Sequence, residues 1–315
     1  MASEPNTLQE AILYFSDPVN CREYLVRRRW PKGVTCPRCG TTDVLFLEKY
    51  NRWHCRAKHE APQFTLKTGT IMEDSPIGLD KWLTAMWQIV NCKNGISSYE
   101  VHRAIGVTQK TAWFLDHRIR LALTTGSFAK LSGEIEADET FIGGKARNMH
   151  KGKRARKITG TGGKDKTAVM GILERGGKVR TTVVPNRKRK AIHTEVRKHV
   201  EAGSALYTDA LQSYEGLNEF EHQVIDHAVQ YVDGKIHTNG LENFWSLLKR
   251  GINGTYVSVE PFHLFRYLDE QAYRYNNRKL TDGERFSMAV SQIVGKRLTW
   301  DQLIGKQPDL QACIN

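Results

Sequence analysis

The sequence predicts a multidomain chain of mixed helices and strands, of the α+β or α/β class. Three observations predict this class: two closely spaced cysteines near residue 36, an apolar helix at 79–92 followed by a helix-turn-helix pattern at 97–113, and alternating strands and helices from about residue 133. At 315 residues the chain is long enough for two or three domains with a sizeable buried core.

The charge of the chain points to a polyanionic partner. The formal net charge is +13 and the isoelectric point is about 9.5, which favours nucleic acid over the alternative of a generally basic soluble protein. No run of about 18 apolar residues is present, so we expect no membrane partner, and the N-terminus lacks the pattern of a signal peptide. Three cysteines are scattered, Cys21, Cys92 and Cys313, which favours a reducing compartment over a disulfide framework.

A zinc site is predicted in the N-terminal part of the chain. Cys36 and Cys39 lie in a Cys-Pro-Arg-Cys-Gly turn that can present two thiolates to one tetrahedral ion. Cys55 is the third expected ligand and His59 the fourth, with His54 as the other candidate. A structural Zn²⁺ would supply folding energy that so small a module cannot obtain from a core. The alternative is a metal-free hairpin with unrelated cysteines.

A helix-turn-helix is predicted in the middle of the chain. Ser98 is the expected N-cap of the first helix, Gly106 lies in the turn, and Thr108 begins the second helix. In a helix-turn-helix the second helix lies in the major groove, so Gln109 and Lys110 would face DNA. An ordinary helical hairpin would give the same pattern.

Two predicted strands lead to acidic residues. The first strand ends on Asp138 before Gly143-Gly144 breaks it, and a short buried strand from Ala205 leads to Asp209. The remaining elements are strands at 167–173 and 178–184, a helix at 189–201 and a strand at 223–225. The resulting order is strand, strand, strand, helix, strand, helix, strand, helix.

The last helix of that order, His237 to Arg250, is amphipathic. Its polar face contains Asn239, Glu242, Asn243, Lys249 and Arg250. Taken alone, this is a solvated face with a Glu–Lys pair. Together with the two acids at the predicted strand ends, Glu242 makes three carboxylates on separate elements. Clustered carboxylates require a neutralising cation, and Mg²⁺ or Mn²⁺ prefer oxygen ligands.

These motifs together resemble a DDE-type transposase of a bacterial insertion sequence, of the ISXO2-like group with an N-terminal zinc ribbon. The resemblance rests on Ala-Asp-Glu-Thr-Phe-Ile-Gly-Gly-Lys from Ala137, Tyr-Thr-Asp-Ala from Tyr207, and the run His-Thr-Asn-Gly-Leu-Glu-Asn-Phe-Trp-Ser-Leu-Leu-Lys-Arg from His237. Shorter matches begin at Tyr267 and Arg274, so most of the chain is covered. The family ribbon usually has four cysteines, and this chain departs from it at the fourth ligand.

The element order is that of the ribonuclease-H-like fold, in which the first and fourth strands are neighbours. Asp138 and Asp209 are therefore expected side by side, with Glu242 on a helix packed on the sheet. The expected domains are an N-terminal helical segment at 1–30, the zinc ribbon at 31–75, the helix-turn-helix domain at 76–130, the ribonuclease-H-like catalytic domain at 131–285 and a C-terminal tail at 286–315.

The resemblance implies a two-metal-ion phosphoryl transfer. Asp138 and Asp209 would hold two Mg²⁺ or Mn²⁺ ions, and Glu242 would complete the site. Asn239 and Asn243 remain alternatives for the third metal ligand. Lys249 would contact a phosphate near the cut.

The implied partner is double-stranded DNA, both transposon ends and target. Lys249 and Arg250 would contact it, as would Lys151, Lys153 and Arg154 in a glycine-rich basic segment predicted to be a loop. The family also implies a homo-oligomer on DNA, a dimer or larger, in the bacterial cytoplasm at the nucleoid. Two alternatives stay open: a domesticated DNA-binding regulator, which has no use for clustered acids, and a ribonuclease-H-like nuclease or resolvase.

Overall fold

The computed structural model describes residues 3–124, 129–144, 150–157, 166–209, 211–225 and 237–308. The chain divides into two compact units. The first unit contains residues 1–124 and 277–314, and the second contains residues 125–276. No helix in the described ranges is long and apolar enough to cross a membrane.

The first unit begins with two helices where the sequence predicted one helical region. Helix α1, Leu8–Phe15, starts with a capping box in which Glu10 N donates to Thr7 Oγ1 at 3.2 Å. Helix α2, Pro18–Arg29, starts anew because the Asp17 side chain accepts from Val19 N and a proline fills the first helical position.

A small antiparallel sheet follows, with strands β1, Val44–Leu47, β2, Arg52–Cys55, and β3, Gln63–Phe64. Trp53 and Phe64 stack across β2 and β3 with ring centroids 5.9 Å apart. Because this sheet is short, it buries little apolar area and needs a further source of stability.

Three helices complete the N-terminal part: α3, Leu79–Asn91, α4, Ser98–Ile105, and α5, Gln109–Ala122. The predicted cap of α4 was wrong by one residue, because Ser97 and Glu100 form the capping box and Ser98 is already helical. Gly106 ends α4 with a left-handed φ of 62°, and Thr108 caps α5, as predicted.

The second unit is built on a five-stranded sheet. Its strands are β4, Glu134–Ile142, β5, Thr167–Glu174, β6, Val179–Val184, β7, Ala205–Asp209, and β8, Glu221–Ile225. The spatial order is β6-β5-β4-β7-β8, with β4 antiparallel to β5 and parallel to β7. The first and fourth strands of the unit are therefore neighbours, as the ribonuclease-H-like order predicts.

Two details of that sheet differ from the prediction. Strand β4 does not end on Asp138 but continues to Ile142, since Thr140 to Ile142 pair with β5 before the glycines. The helix expected between β7 and β8 is only a single 3₁₀ turn at Gln212–Tyr214, because Gly216, with φ of 87°, breaks the segment.

Helices cover both faces of the sheet. Helix α6, Lys151–Lys157, comes first, and α7, Arg189–His199, packs on one face through Ile192 and Val196. Helix α8, Asn239–Arg250, packs on the opposite face with α9, Leu264–Asn276. The basic segment predicted as a loop contains α6, while residues 145–149 and 158–165 lie outside the described part.

The chain then returns to the first unit with α10, Asp282–Ser291, and α11, Trp300–Leu303. Phe286 on α10 packs against Phe15, Tyr24 and Trp87, with ring centroids 4.9 to 5.7 Å away. The domain boundary expected after residue 285 lies inside α10, which belongs to the first unit. The three N-terminal domains expected before residue 131 also fall within one compact unit up to residue 124.

Candidate active site

Two of the predicted catalytic acids lie on adjacent parallel strands. Glu136 on β4 pairs with Tyr207 on β7, and continuing that register by two residues sets Asp138 beside Asp209. Paired residues on neighbouring strands point to the same side of a sheet, and so do residues two apart on one strand. Asp138 and Asp209 therefore point to the same side as Glu136 and Tyr207. Burial, followed by the charge of Asp209, raises the pKa of Asp138 to about 6, which also indicates that the two carboxylates are close.

Helix α8 covers this side of the sheet and fixes Asp138. Trp245 Nε1 donates to Asp138 Oδ2 at 2.9 Å. The indole ring lies over Gly171, the residue that pairs with Asp138 on β5. A Cβ atom at Gly171 would lie only 2.5 Å from the Trp245 ring, so this close approach requires glycine. The sequence assigned Trp245 only to an apolar stripe and missed its role as a hydrogen-bond donor.

Glu242 lies in the first turn of α8, on the predicted polar face. The apolar stripe is buried, and Asn239, Glu242, Asn243, Lys249 and Arg250 are all exposed. The charge of Glu242 also raises the pKa of Asp138, as the smallest of the contributions after burial, Asp209 and two opposing hydrogen bonds. The structure thus brings the three predicted carboxylates to one face of the sheet. Their carboxylate oxygens are more widely spaced than the ligand atoms of the cysteine–histidine set described below.

A fourth acid, Glu139, lies on the other face of β4. Tyr214, which is fully buried, donates its hydroxyl hydrogen to Glu139. Burial raises the pKa of Glu139 to about 7, with smaller contributions from Asp138 and Asp209. Sequence reasoning gave Glu139 no role, although strand alternation already separates it from Asp138. Since Tyr214 follows Asp209 in the chain, this contact ties the end of β7 to β4.

The predicted zinc ligands converge in the first unit. Ligand atoms of Cys36, Cys39, Cys55 and His59 lie within 4.8 Å of one another. The Cys39 and Cys55 sulfurs are 3.6 Å apart, and Cys36 Sγ is 3.5 Å from His59 Nε2. His54 lies outside this group, because it precedes Cys55 on β2 and adjacent strand residues face opposite ways.

The chemistry of this cluster suits Zn²⁺. Three thiolates and one imidazole are a common tetrahedral set for a structural zinc ion. Burial raises the pKa of the Cys36 thiol, but backbone N–H groups of Cys39 and Arg38 outweigh it and lower the value to about 6. The other ring nitrogen of His59, Nδ1, lies 2.7 Å from the carbonyl oxygen of Glu60, a contact that fixes the orientation of the ring.

The residues predicted to face DNA on α5 have partners within the first unit. Gln109 Nε2 donates to Ser98 Oγ at 2.9 Å. Lys110 Nζ lies 4.5 Å from the centroid of the Trp300 ring, a cation–π contact. The first contact joins α5 to α4 and the second joins α5 to α11, so both side chains already have a partner within the first unit.

The basic residues predicted to contact DNA in the second unit are exposed to solvent where the structure describes their side chains. Lys151 and Arg154 are exposed on α6, and Lys249 and Arg250 are exposed at the C-terminal end of α8. The side chain of Lys153 lies outside the described part of the chain. Cations in the last turn of a helix also interact favourably with the negative end of its dipole. The position of Lys249 and Arg250 is therefore not by itself evidence of DNA binding.

Comparison with known proteins matches one family domain to each of the two compact units. Residues 130–276 match the ISXO2-like transposase domain, and residues 17–57 match the transposase zinc-ribbon domain. A protein in transposable element ISH50 of Halobacterium salinarum is 28% identical, over 73% of this chain and 81% of its own length. A transposase-like protein of Haemophilus influenzae is 33% identical, over 33% of this chain and 85% of its own length.

The two matched domains are those of a transposase with an N-terminal zinc ribbon. The chain belongs to the ISXO2-like transposase family.

Proposed function

We propose that this protein is a DDE transposase that binds the ends of an insertion sequence, cleaves a DNA strand and transfers it into target DNA. The observation that carries the proposal is the juxtaposition of Asp138 and Asp209 on parallel strands, covered by the helix that contains Glu242. Membership of the transposase family supports the same assignment.

The donor set of the site fits hard divalent cations. Carboxylate oxygens are the ligands that Mg²⁺ and Mn²⁺ prefer. Burial and then the like charge of Asp209 raise the pKa of Asp138, and a bound cation would neutralise that like charge. Asp138, Asp209 and Glu242 would hold the metal, which would supply electrostatic stabilisation to an in-line phosphoryl displacement. Asn239 and Asn243 share the exposed face of Glu242 and are the alternatives for the third ligand.

The reaction proceeds in two displacements at phosphorus. A water oxygen attacks the phosphodiester at the transposon end, and the 3′ oxygen leaves as a free hydroxyl. That 3′ hydroxyl then attacks a target phosphodiester, forming one new bond and breaking one. Asp138 is held in place by the Trp245 hydrogen bond, and Lys249 would position a phosphate through its charge.

DNA binding would be divided between the two units. In the first unit, the zinc ribbon and the α4–α5 pair would recognise the transposon end, with Gln109 and Lys110 exchanging their present contacts for DNA. In the second unit, Lys151, Lys153 and Arg154 would contact phosphates without reading sequence. Paired ends also require a homo-oligomer, a dimer or larger, which we propose forms on DNA.

The catalytic half of this proposal is tested with labelled end DNA and supercoiled target. Asp138→Asn and Asp209→Asn should abolish cleavage and strand transfer while leaving end binding intact. Glu201→Gln, which removes an exposed acid in the same unit, is the matched control and should cut normally. Normal strand transfer by either Asn variant would remove that residue from the site. If the wild-type protein binds ends but never cuts, a DNA-binding regulator is the better assignment.

The DNA-binding half is tested by salt dependence. Replacing Lys151, Lys153 and Arg154 together by alanine should reduce the slope of log K against log salt by about 1 per lost phosphate contact. Replacing the exposed Lys188, Lys190 and Lys198 is the charge-matched control and should change it less. An unchanged slope in the first variant would mean that this segment does not contact DNA.

A further inference from the structure

The first turn of helix α8 has no cap from its own sequence. Thr238 occupies the N-cap position, and its side chain makes no capping hydrogen bond. The first turn of a helix leaves backbone N–H groups without helical partners, and these require an acceptor. In α8 the acceptor comes from another element: Leu241 N donates to Glu136 Oε2 on β4 at 3.0 Å.

Glu136 is a buried charge whose remaining contacts converge on the same helix end. Its side chain is 1% exposed. Arg175 Nε donates to Glu136 Oε1 at 3.0 Å, and Arg175 Nη2 donates to the carbonyl oxygen of His237 at 2.7 Å. His237 Nδ1 lies 3.4 Å from Glu136 Oε1. One carboxylate and one guanidinium therefore clamp the segment that leads into α8.

The first turn of α8 packs closely against Leu173 and Glu136. A Cβ atom at Gly240 would lie 2.4 Å from Leu173 Cδ2 and 2.7 Å from Glu136 Oε2. Gly240 lies immediately before Leu241, the residue that Glu136 caps. The Glu136 carboxylate thus fixes the position of this turn along the helix axis and its rotation about that axis, relative to β4.

We propose that Glu136, braced by Arg175, is a positioning residue that caps α8 and thereby sets where Glu242 lies relative to Asp138. Glu242 follows Leu241 directly, so a displaced first turn displaces its carboxylate. Glu136 and Asp138 lie two residues apart on one face of β4, so the same strand carries the anchor and the acid. This inference rests on the proposed function in one respect, namely that Asp138, Asp209 and Glu242 bind a metal ion.

The test is the affinity of the zinc-loaded protein for Mn²⁺, measured by calorimetry without DNA. Glu136→Gln keeps the shape of the side chain but removes the charge that Arg175 and the helix end require. Residues that orient metal ligands typically change metal affinity by about 10–100-fold, and we expect a weakening in that range. Strand cleavage should be partly rescued by raising Mn²⁺, which a merely structural defect would not permit.

A matched variant shows whether loss of a buried ion pair alone explains the result. Glu270 is fully buried and pairs with Arg274 on α9 in the same unit, away from the first turn of α8. Glu270→Gln should lower thermal stability as Glu136→Gln does, and should leave Mn²⁺ affinity unchanged. If both variants weaken Mn²⁺ binding equally, the effect is general loosening of the unit and the positioning role is overturned.

A second variant keeps the test valid if Glu136→Gln does not fold. Gly240→Ala changes no charge but forces the first turn of α8 away from Leu173 and Glu136, so it should also weaken Mn²⁺ binding. Gly254→Ala, just beyond the same helix, meets no atom within 4 Å and is its control. Wild-type Mn²⁺ affinity in folded Gly240→Ala would overturn the proposal.

The outcomes separate this inference from the proposed function. If Mn²⁺ binding depends on Asp138 and Glu136 but the wild-type protein never cuts end DNA, the positioning role stands and the transposase reaction fails. If the wild-type protein cuts ends while Glu136→Gln binds Mn²⁺ normally, the reaction stands and the positioning role fails. Absence of any Asp138-dependent Mn²⁺ binding would also overturn the positioning role.

Discussion

The cysteine–histidine cluster and the carboxylate site are assembled in opposite ways. All four residues of the cluster lie between Cys36 and His59, on a short sheet and its turns. The acids of the carboxylate site come from two strands and a helix spread from Asp138 to Glu242. The cluster therefore depends on local chain geometry, whereas the carboxylate site depends on the folding of a whole domain.

That difference sets what each metal would do for stability. A three-stranded sheet with β3 only two residues long cannot hold its turns together by apolar burial, so zinc would supply much of its folding energy. The five-stranded sheet has an apolar core on each face, so we expect it to fold without a bound metal. Removing metal should therefore unfold one region and leave the other intact.

The largest expected effect follows from zinc removal. We predict one tightly bound Zn²⁺ per chain, since apparent binding free energies for structural zinc are about 10–16 kcal/mol. A chelator should abolish hydrogen-exchange protection in β2 and leave protection in β4 unchanged. Cys36→Ser and His59→Ala should lose zinc, and His54→Ala is the control that keeps it. Zinc-free protein with a protected β2 would make the ribbon a metal-free hairpin.

A smaller effect, on activity only, is expected from the third ligand. Glu242→Gln should lower strand cleavage more than about 100-fold, since even residues around a metal ligand cost about 10–100-fold. Asn239→Ala should cost less, because an amide offers only a dipole where a carboxylate offsets cationic charge. Both residues are exposed on α8, so neither change should alter thermal stability much. A dead Asn239→Ala beside a near-normal Glu242→Gln would reverse the assignment.

The contrast also explains what the sequence could predict. Local spacing was sufficient for Cys36, Cys39 and Cys55, and it left only the choice between His54 and His59, which strand alternation decides. The ribonuclease-H-like order that the resemblance implied predicted Asp138 beside Asp209, and β4 and β7 are neighbours in the sheet. The contact between Glu136 and Leu241 was not predictable, since nothing local marks a helix capped from a distant strand.

Errors at element ends have the same origin. The sequence ended β4 at Asp138 and gave the cap of α4 to Ser98, although pairing with β5 extends the strand and Ser97 forms the capping box. The boundary predicted after residue 285 lies inside α10, whose Phe286 packs against Trp87 of the first unit. In each case the decisive contact is a neighbour whose identity the local pattern does not contain.

The smallest expected effect concerns the link between Asp138 and α8. Trp245→Phe keeps an aromatic ring over Gly171 but removes the Nε1 donor, and hydrogen bonds to charged groups contribute about 1.5–3 kcal/mol. We expect the free energy of unfolding of the second unit to fall by about 2 kcal/mol, near the middle of that range. Trp87→Phe, at a buried tryptophan of the first unit, controls for the loss of ring volume.

The same variant has a signature that lost volume cannot imitate. The Trp245 hydrogen bond lowers the pKa of Asp138 and so opposes burial, which raises it to about 6. Without that bond the pKa of Asp138 should rise further, so in metal-free protein the acid stays protonated to a higher pH than in the wild type. A carbon-detected NMR titration of Asp138 measures this directly. An unchanged or lowered pKa of Asp138 would mean that the indole only packs against the acid, and that the Glu136 contact with Leu241 is the polar link between β4 and the first turn of α8.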